Sequence, residues 1–195
     1  MGGFLGQDHL VEHGAGLAGA VLSATSANMG PLRGVGERLM RVEARLLGAE
    51  HRSALAETLS FKAFNKQFKP NRTACDWLSR DEAEVDAYVA DRLCGFRCSA
   101  SLWASLMHAG GQLTQTKRLK RIPKSLPVLL IAGSDDPVCD GGRGSHLLAE
   151  HYRKVGMDDV SVAVFEQARH ELLNETCRDE VTQDIVNWLN ERMPA

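Results

Sequence analysis

The sequence predicts an α/β fold of parallel strands with flanking helices, and three observations carry that reading. The first is a pair of short apolar runs of strand length, Val128-Leu129-Leu130-Ile131 and Val160 to Phe165. The second is a helical pattern from Gly144 to Val155 between them. Strand, helix and strand in that order form a right-handed crossover, so the two strands lie parallel and their C-terminal ends share one edge. The third is the way the first run ends, in Gly133-Ser134-Asp135-Asp136-Pro137. Carboxylates beyond the C-terminal end of a buried strand sit where open α/β sheets keep their chemistry. The loop after the second run, Ala168-Arg169-His170-Glu171-Leu172-Leu173-Asn174-Glu175, is expected at the same edge, with Asp136 facing His170.

Taken in order, residues 4 to 13 carry apolar groups at helical spacing and stop at Gly14, a helix terminator. Leu17 to Ser23 reads as a short strand whose small residues permit close packing, and Ala24 to Asn28 as its polar exit loop. From Pro31 to about Gln115 the pattern is helical with polar interruptions. Leu32 to Leu47 places Val35, Leu39, Val42 and Leu46 on one side, the expected buried face, and Arg38, Arg41 and Arg45 on another. Ser53 to Phe68 continues as a helix. Asp81 to Leu93 follows, with Ser79 as the expected cap, and Ser99 to His108 ends at Gly110-Gly111. A helical insertion of this size between strands of a parallel sheet predicts a lid. The last helix, Arg178 to Met193, turns Val181, Ile185, Trp188 and Leu189 inward. The chain therefore divides into a first helix and strand (1–29), a helical lid insertion (30–120) and a C-terminal core (121–195).

Length of 195 residues and a 25% charged composition suit a globular domain. A net charge of -2 gives no general basic excess for nucleic-acid binding, and Lys117-Arg118-Leu119-Lys120-Arg121 reads as a solvated loop face. No apolar run is long enough to span a bilayer, and Met1-Gly2-Gly3-Phe4 lacks the basic start of a secretory signal, which predicts a cytoplasmic protein. The five cysteines are odd in number and lack paired C-x-x-C spacing, so reduced thiols are expected; Cys94 and Cys98 could share a helix face.

Pro137 disfavours α geometry at Asp136 and projects its carboxylate past the strand end. A buried Asp opposite a His is the orienting pair of a nucleophilic hydrolase: the carboxylate fixes the tautomer and stabilises the imidazolium formed when the His takes a proton. Asp135 competes for that role but suits a turn better. The bland alternative for His170 is a loop histidine satisfied by a carbonyl. A metal role for His170 with Asp136 and Glu171 is a weaker third reading, because ligands on two loops do not make a helix-borne zinc motif. Nothing requires a metal or organic cofactor.

The run from Val128 to Val138 and the segment Ala168 to Glu175 resemble the C-terminal part of the α/β-hydrolase family of lysophospholipases and monoacylglycerol lipases, also described as serine aminopeptidase S33. The middle is similar to the same family in Phe64-Asn65-Lys66, Arg72 to Asp81, Val85 to Tyr88 and Cys94-Gly95-Phe96. The resemblance implies that Asp136 is the triad acid and His170 the base. It also implies an acyl ester or lipid substrate, hydrolysed through a Ser-His-Asp triad beneath a helical lid.

The family carries its nucleophile in a Gly-x-Ser-x-Gly elbow, and these residues contain none. Met1-Gly2-Gly3 is similar to the part of the elbow just after the serine. By position, Met1 is the residue whose backbone N–H would donate to the oxyanion. Ser23, Ser26 and Ser134 lie at the catalytic edge but read as turn or capping residues. The chain as given is thus expected to lack activity alone, and the alternative is a non-catalytic fragment that binds lipid or protein through its lid. The strand 17–23 would then present an unpaired apolar edge, which predicts self-association.

Overall fold

The computed structural model describes residues 1–27, 29–30 and 32–192. The predicted loop end at Asn28, insertion start at Pro31 and helix end at Met193 lie outside the described residues. Among these residues, β1 (Ala20–Ser23), β2 (Val128–Gly133) and β3 (Val160–Phe165) form a parallel sheet in the order β1-β2-β3. Ala20 pairs with Val128 and Val128 with Val160, so all three strands end at one edge. Every residue of β2 is buried, which is why its sequence is apolar without alternation. α1 (Gly2–His13) and α8 (Arg143–Lys154) cover one face around Leu10, Leu130, Leu148 and Tyr152. On the other face, α9 (Arg178–Arg192) packs Val181 and Trp188 against Leu129 and Ile131.

Several element boundaries depart from the sequence reading for local reasons. α1 begins at Gly2 and runs through Gly14 into a 3-10 turn, Gly14–Gly16. Gly14 is right-handed (φ -57), and it is small for packing: a Cβ there would lie 2.9 Å from the Pro123 side chain. This turn consumes the start of the predicted strand, leaving only Ala20–Ser23 paired. The helix expected over Ser53 to Phe68 breaks at Ser60 (ψ -93) into α3 (Ala54–Leu59) and α4 (Phe61–Asn65), followed by a 3-10 turn. Ser60 donates its hydroxyl to Ala56 O at 2.6 Å, a side-chain bond that competes with the helix.

α5 (Glu82–Ala90) is capped by Asp81, whose carboxylate accepts from Ala83 and Glu84 N–H; Ser79 instead accepts from Asp81 N–H. The helix stops short of Leu93 because Asp91 turns extended and accepts from Leu93 N–H at 2.7 Å. Cys94 and Cys98 therefore lie in irregular backbone and share no helix face. The basic cluster is not a solvated loop. Part of it forms α7 (Thr116–Leu119) with Leu119 buried, while Arg118 pairs with Asp8 and Arg121 with Glu12 of α1.

The largest departure is in α2 (Arg33–Leu47). Val35, Leu39, Val42 and Leu46, the predicted buried face, are 62%, 41%, 54% and 75% exposed. The helix instead turns Met40 inward, near Ala56, Trp103 and Ala104 of α3 and α6 (Ala100–Gly110). Small residues set the approach: a Cβ at Gly36 would lie 2.9 Å from Met107 Sδ. No described helix is long and apolar enough to cross a membrane.

Candidate active site

β2 delivers Asp136 and β3 delivers His170, and the two loops are laced together. Ser134 N–H donates to Phe165 O (2.9 Å) and Asp135 N–H to Ala168 O (3.0 Å). Gly133 makes this approach possible, because a Cβ there would sit 2.1 Å from the Ala168 carbonyl oxygen. Asp136 is fully buried, and its Oδ2 lies 3.0 Å from His170 Nδ1. Its Oδ1 accepts from Val138 N–H at 2.8 Å, and Oδ2 accepts also from the Cys139 thiol at 3.0 Å. Asp135 does not take part in this pairing; Ser134 Oγ lies 3.4 Å from Asp135 Oδ1 and accepts from Gln167 N–H, as befits turn residues. With Nδ1 committed to the carboxylate, Nε2 is the nitrogen left for proton exchange.

His170 lines a cavity of about 510 Å³ together with Met1, Gly2, Val21, Ser23 and Leu172. It also lines a second of about 390 Å³ with Phe61, Trp77, Tyr88, Leu93 and Phe96. Met1 and Ser23 thus share a cavity with the imidazole; Ser26 lies buried, its carbonyl accepting from Gln7 Nε2. Burial pushes the α-ammonium of Met1 below its ordinary value, with Cys98 acting in the opposite sense. The second cavity is walled by apolar side chains of the helical segment, and the Trp77 ring tilts over His170 at 5.1 Å between centroids. Among the described residues no group of three His, Cys, Asp or Glu side chains is arranged to hold a metal ion.

Two supporting residues went unnoticed in the sequence. Glu175, fully buried, accepts from the backbone N–H groups of Arg169, Arg80 and Thr176 and from Arg80 Nε at 2.9 Å. Burial opposes its ionisation, but those donors prevail and hold its carboxyl below the usual range. Arg169 stacks on Phe68 at 4.2 Å and donates to the carbonyls of Asp76 (2.5 Å) and Ser79 (3.0 Å). Burial lowers its pKa, and Glu175, Asp76 and Asp135 act against that. With Glu171 N–H on Leu78 O, these bonds clamp residues 76–80 onto the loop that carries His170. The signal was the two charged motifs themselves, Asp76 to Asp81 and Ala168 to Glu175, whose charges are complementary across the fold.

Residues 1–177 match the family described as serine aminopeptidase, S33. A mouse (Mus musculus) monoglyceride lipase is 33% identical over 122 residues, which are 60% of this chain and 37% of that protein. A thermostable carboxyl esterase from Bacillus coagulans, solved with glycerol, superposes with a TM-score of 0.85 at 22% identity over 97% of this chain and 61% of its own. The monoacylglycerol lipase of Paleococcus ferrophilus gives 0.67 at 22% identity, over 97% and 65%. The chain thus spans little more than a third of the curated relative and under two thirds of these structures. The parallel sheet with its flanking helices is part of an α/β-hydrolase fold, and the chain belongs to the serine aminopeptidase S33 family of monoglyceride-lipase-like hydrolases.

Proposed function

We propose that this chain supplies the acid, Asp136, and the base, His170, of a Ser-His-Asp triad that hydrolyses carboxylic esters, the acyl groups of monoacylglycerols or lysophospholipids. The observation that carries the reading is the buried Asp136 bonded to Nδ1 of an imidazole that lines an apolar cavity. In that arrangement the carboxylate holds the His tautomer, Nε2 takes the nucleophile's proton and returns it to the leaving alkoxide, and the helical segment 30–120 acts as the lid that shapes the acyl pocket. With a residue joined ahead of it, Met1, which caps α1 and lines the same cavity as His170, would offer a backbone N–H to the oxyanion. The serine is not supplied by these residues, since they hold no Gly-x-Ser-x-Gly. Joined to an upstream segment carrying that elbow, the protein should cleave a monoacylglycerol. His170→Ala should then cost about six orders of magnitude in kcat and Asp136→Ala about four. Unchanged turnover in the His170→Ala variant would sink the assignment.

A second reading, a non-catalytic lipid- or protein-binding module, is favoured by the exposed apolar stripe of α2. In the protein joined to that upstream segment, labelling by a fluorophosphonate probe separates the two: an adduct that disappears in His170→Ala supports the enzyme, and binding without labelling supports the module. The outer edge of β1, which pairs only with β2 among the described residues, favours self-association; light scattering should then show a dimer or larger species, and a clean monomer would count against it.

A further inference from the structure

Cys139 has no place in the triad chemistry, yet it touches the acid directly. Its side chain is fully buried, and its Sγ lies 3.0 Å from Asp136 Oδ2, the same oxygen that receives His170 Nδ1 at 3.0 Å. The backbone fixes this approach. Gly141 N–H donates to Asp136 O and Gly144 N–H to Cys139 O, both at 2.9 Å, and Asp140, Gly141 and Gly142 all take positive φ, so the loop winds tightly around the carboxylate. An ionised carboxylate only accepts, and a thiol is a donor that strengthens against a charged acceptor. Oδ1 is occupied by Val138 N–H, so the two donors on Oδ2 share what negative charge the imidazole can use.

We infer that Cys139 is a positioning residue that tempers the acid: its thiol donates to Asp136 Oδ2, competes with His170 for that oxygen, and so sets how basic the imidazole becomes. Burial, with the charge of Asp136 second, pushes the Cys139 thiol well above its ordinary value, so the donor proton stays in place across the working pH range. The alternative is a small apolar residue filling space, for which the sulfur's direction would be immaterial. The inference rests on the proposed roles of Asp136 and His170.

The test is the proton NMR titration of His170 in this chain, its resonance assigned by its loss in His170→Gln. The other charged groups around the imidazole are Glu171 on its own loop, the Met1 amine across one cavity, and Glu57, Lys62 and Arg97 in the other. None of these changes between the variants compared. Asp136→Asn should lower the His170 pKa. Cys139→Ala, and Cys139→Val which fills more of the space, should raise it by about half a unit, and Cys139→Ser, which restores a donor, should bring it back to or below the starting value. If Asp136→Asn lowers the value while Cys139→Ala leaves it unchanged or lowers it, the tempering role is overturned and the acid–base pair stands. If Asp136→Asn has no effect, the pair itself fails and the inference with it. Should the Ala and Val variants not fold, the infrared S–H band decides. The band missing from Cys139→Ser should be the lowest in frequency of the five thiols, and loss of an unshifted band overturns the proposal.

Discussion

The sheet and the helical segment between β1 and β2 use the same apolar vocabulary to opposite ends. In β2, Val128 to Gly133 are buried on both faces, so burial follows from composition alone and no register choice can expose a side chain. In α2 the apolar stripe faces outward, because glycines and alanines at its contact with α6 bring the backbones close and leave the larger side chains outside. An unbroken apolar run identifies the strand in β2, and hydrophobic period identifies the helix in α2. It identifies the buried face only where the partner surface is also built from large side chains. Between the two regions lies the clamp of Glu175, Arg169 and residues 76–80, which fixes one against the other.

Breaking that clamp should have the largest effect. Glu175→Ala strands buried donors from Arg80, Arg169 and Thr176 and should cost about 3–5 kcal/mol in urea unfolding. A cost below about 1 kcal/mol would show that the regions are held by apolar contact instead. The same carboxyl gives a pH dependence. Its folded pKa lies below its unfolded value of about 4.5, so its contribution is fully present above that pH and is lost as pH falls through the folded pKa. Acid should weaken the clamp below about pH 4.5, and Glu175→Gln should flatten that part of the stability profile. An unaltered acid limb in the Gln variant would assign the loss to other carboxylates.

Next in size is a paired truncation. Leu130→Ala, in the middle of the sheet, should lie in the upper part of the roughly 2–5 kcal/mol span of such deletions, since its cluster neighbours Leu10, Leu148 and Tyr152 are themselves buried. Met40→Ala, in the small cluster shared by α2, α3 and α6, should lie near about 2 kcal/mol, because the partly buried Phe61, Leu106 and Met107 beside it can settle into the space. Equal losses would erase the distinction between a core packed on both sides and a helix layer packed on one.

The parts legible in the sequence share a physical feature: their partners are near in the chain or fixed by topology. The crossover from Val128 to Phe165 follows from strand, helix and strand, and it brings Asp136 to His170. The clamp was not legible, since Arg80 and Glu175 are 95 residues apart and nothing local marks Glu175 as buried. The contact of Cys139 was not legible beyond its being a reduced thiol, because sequence gives its neighbour Asp136 but not the left-handed turns that fold the sulfur back onto the carboxylate. Helix ends at Ser60 and Asp91 were missed where a short polar side chain turned its hydrogen bond onto nearby backbone.

The smallest effect tests the outward stripe itself. Leu46 is 75% exposed at the last turn of α2, so replacing it removes little buried area. Leu46→Ser trades a helix-favouring side chain for a poorer one and should cost no more than about 0.5 kcal/mol, the ordinary scale for surface changes. Were the stripe buried as the periodicity alone implies, the same substitution would remove a core leucine and cost about 2 kcal/mol or more. Denaturant midpoints resolve that difference. A large loss would mean that this face is covered in solution by lipid, by another protein or by a second copy of the chain, and dilution would then separate the copy, whose contribution alone depends on protein concentration.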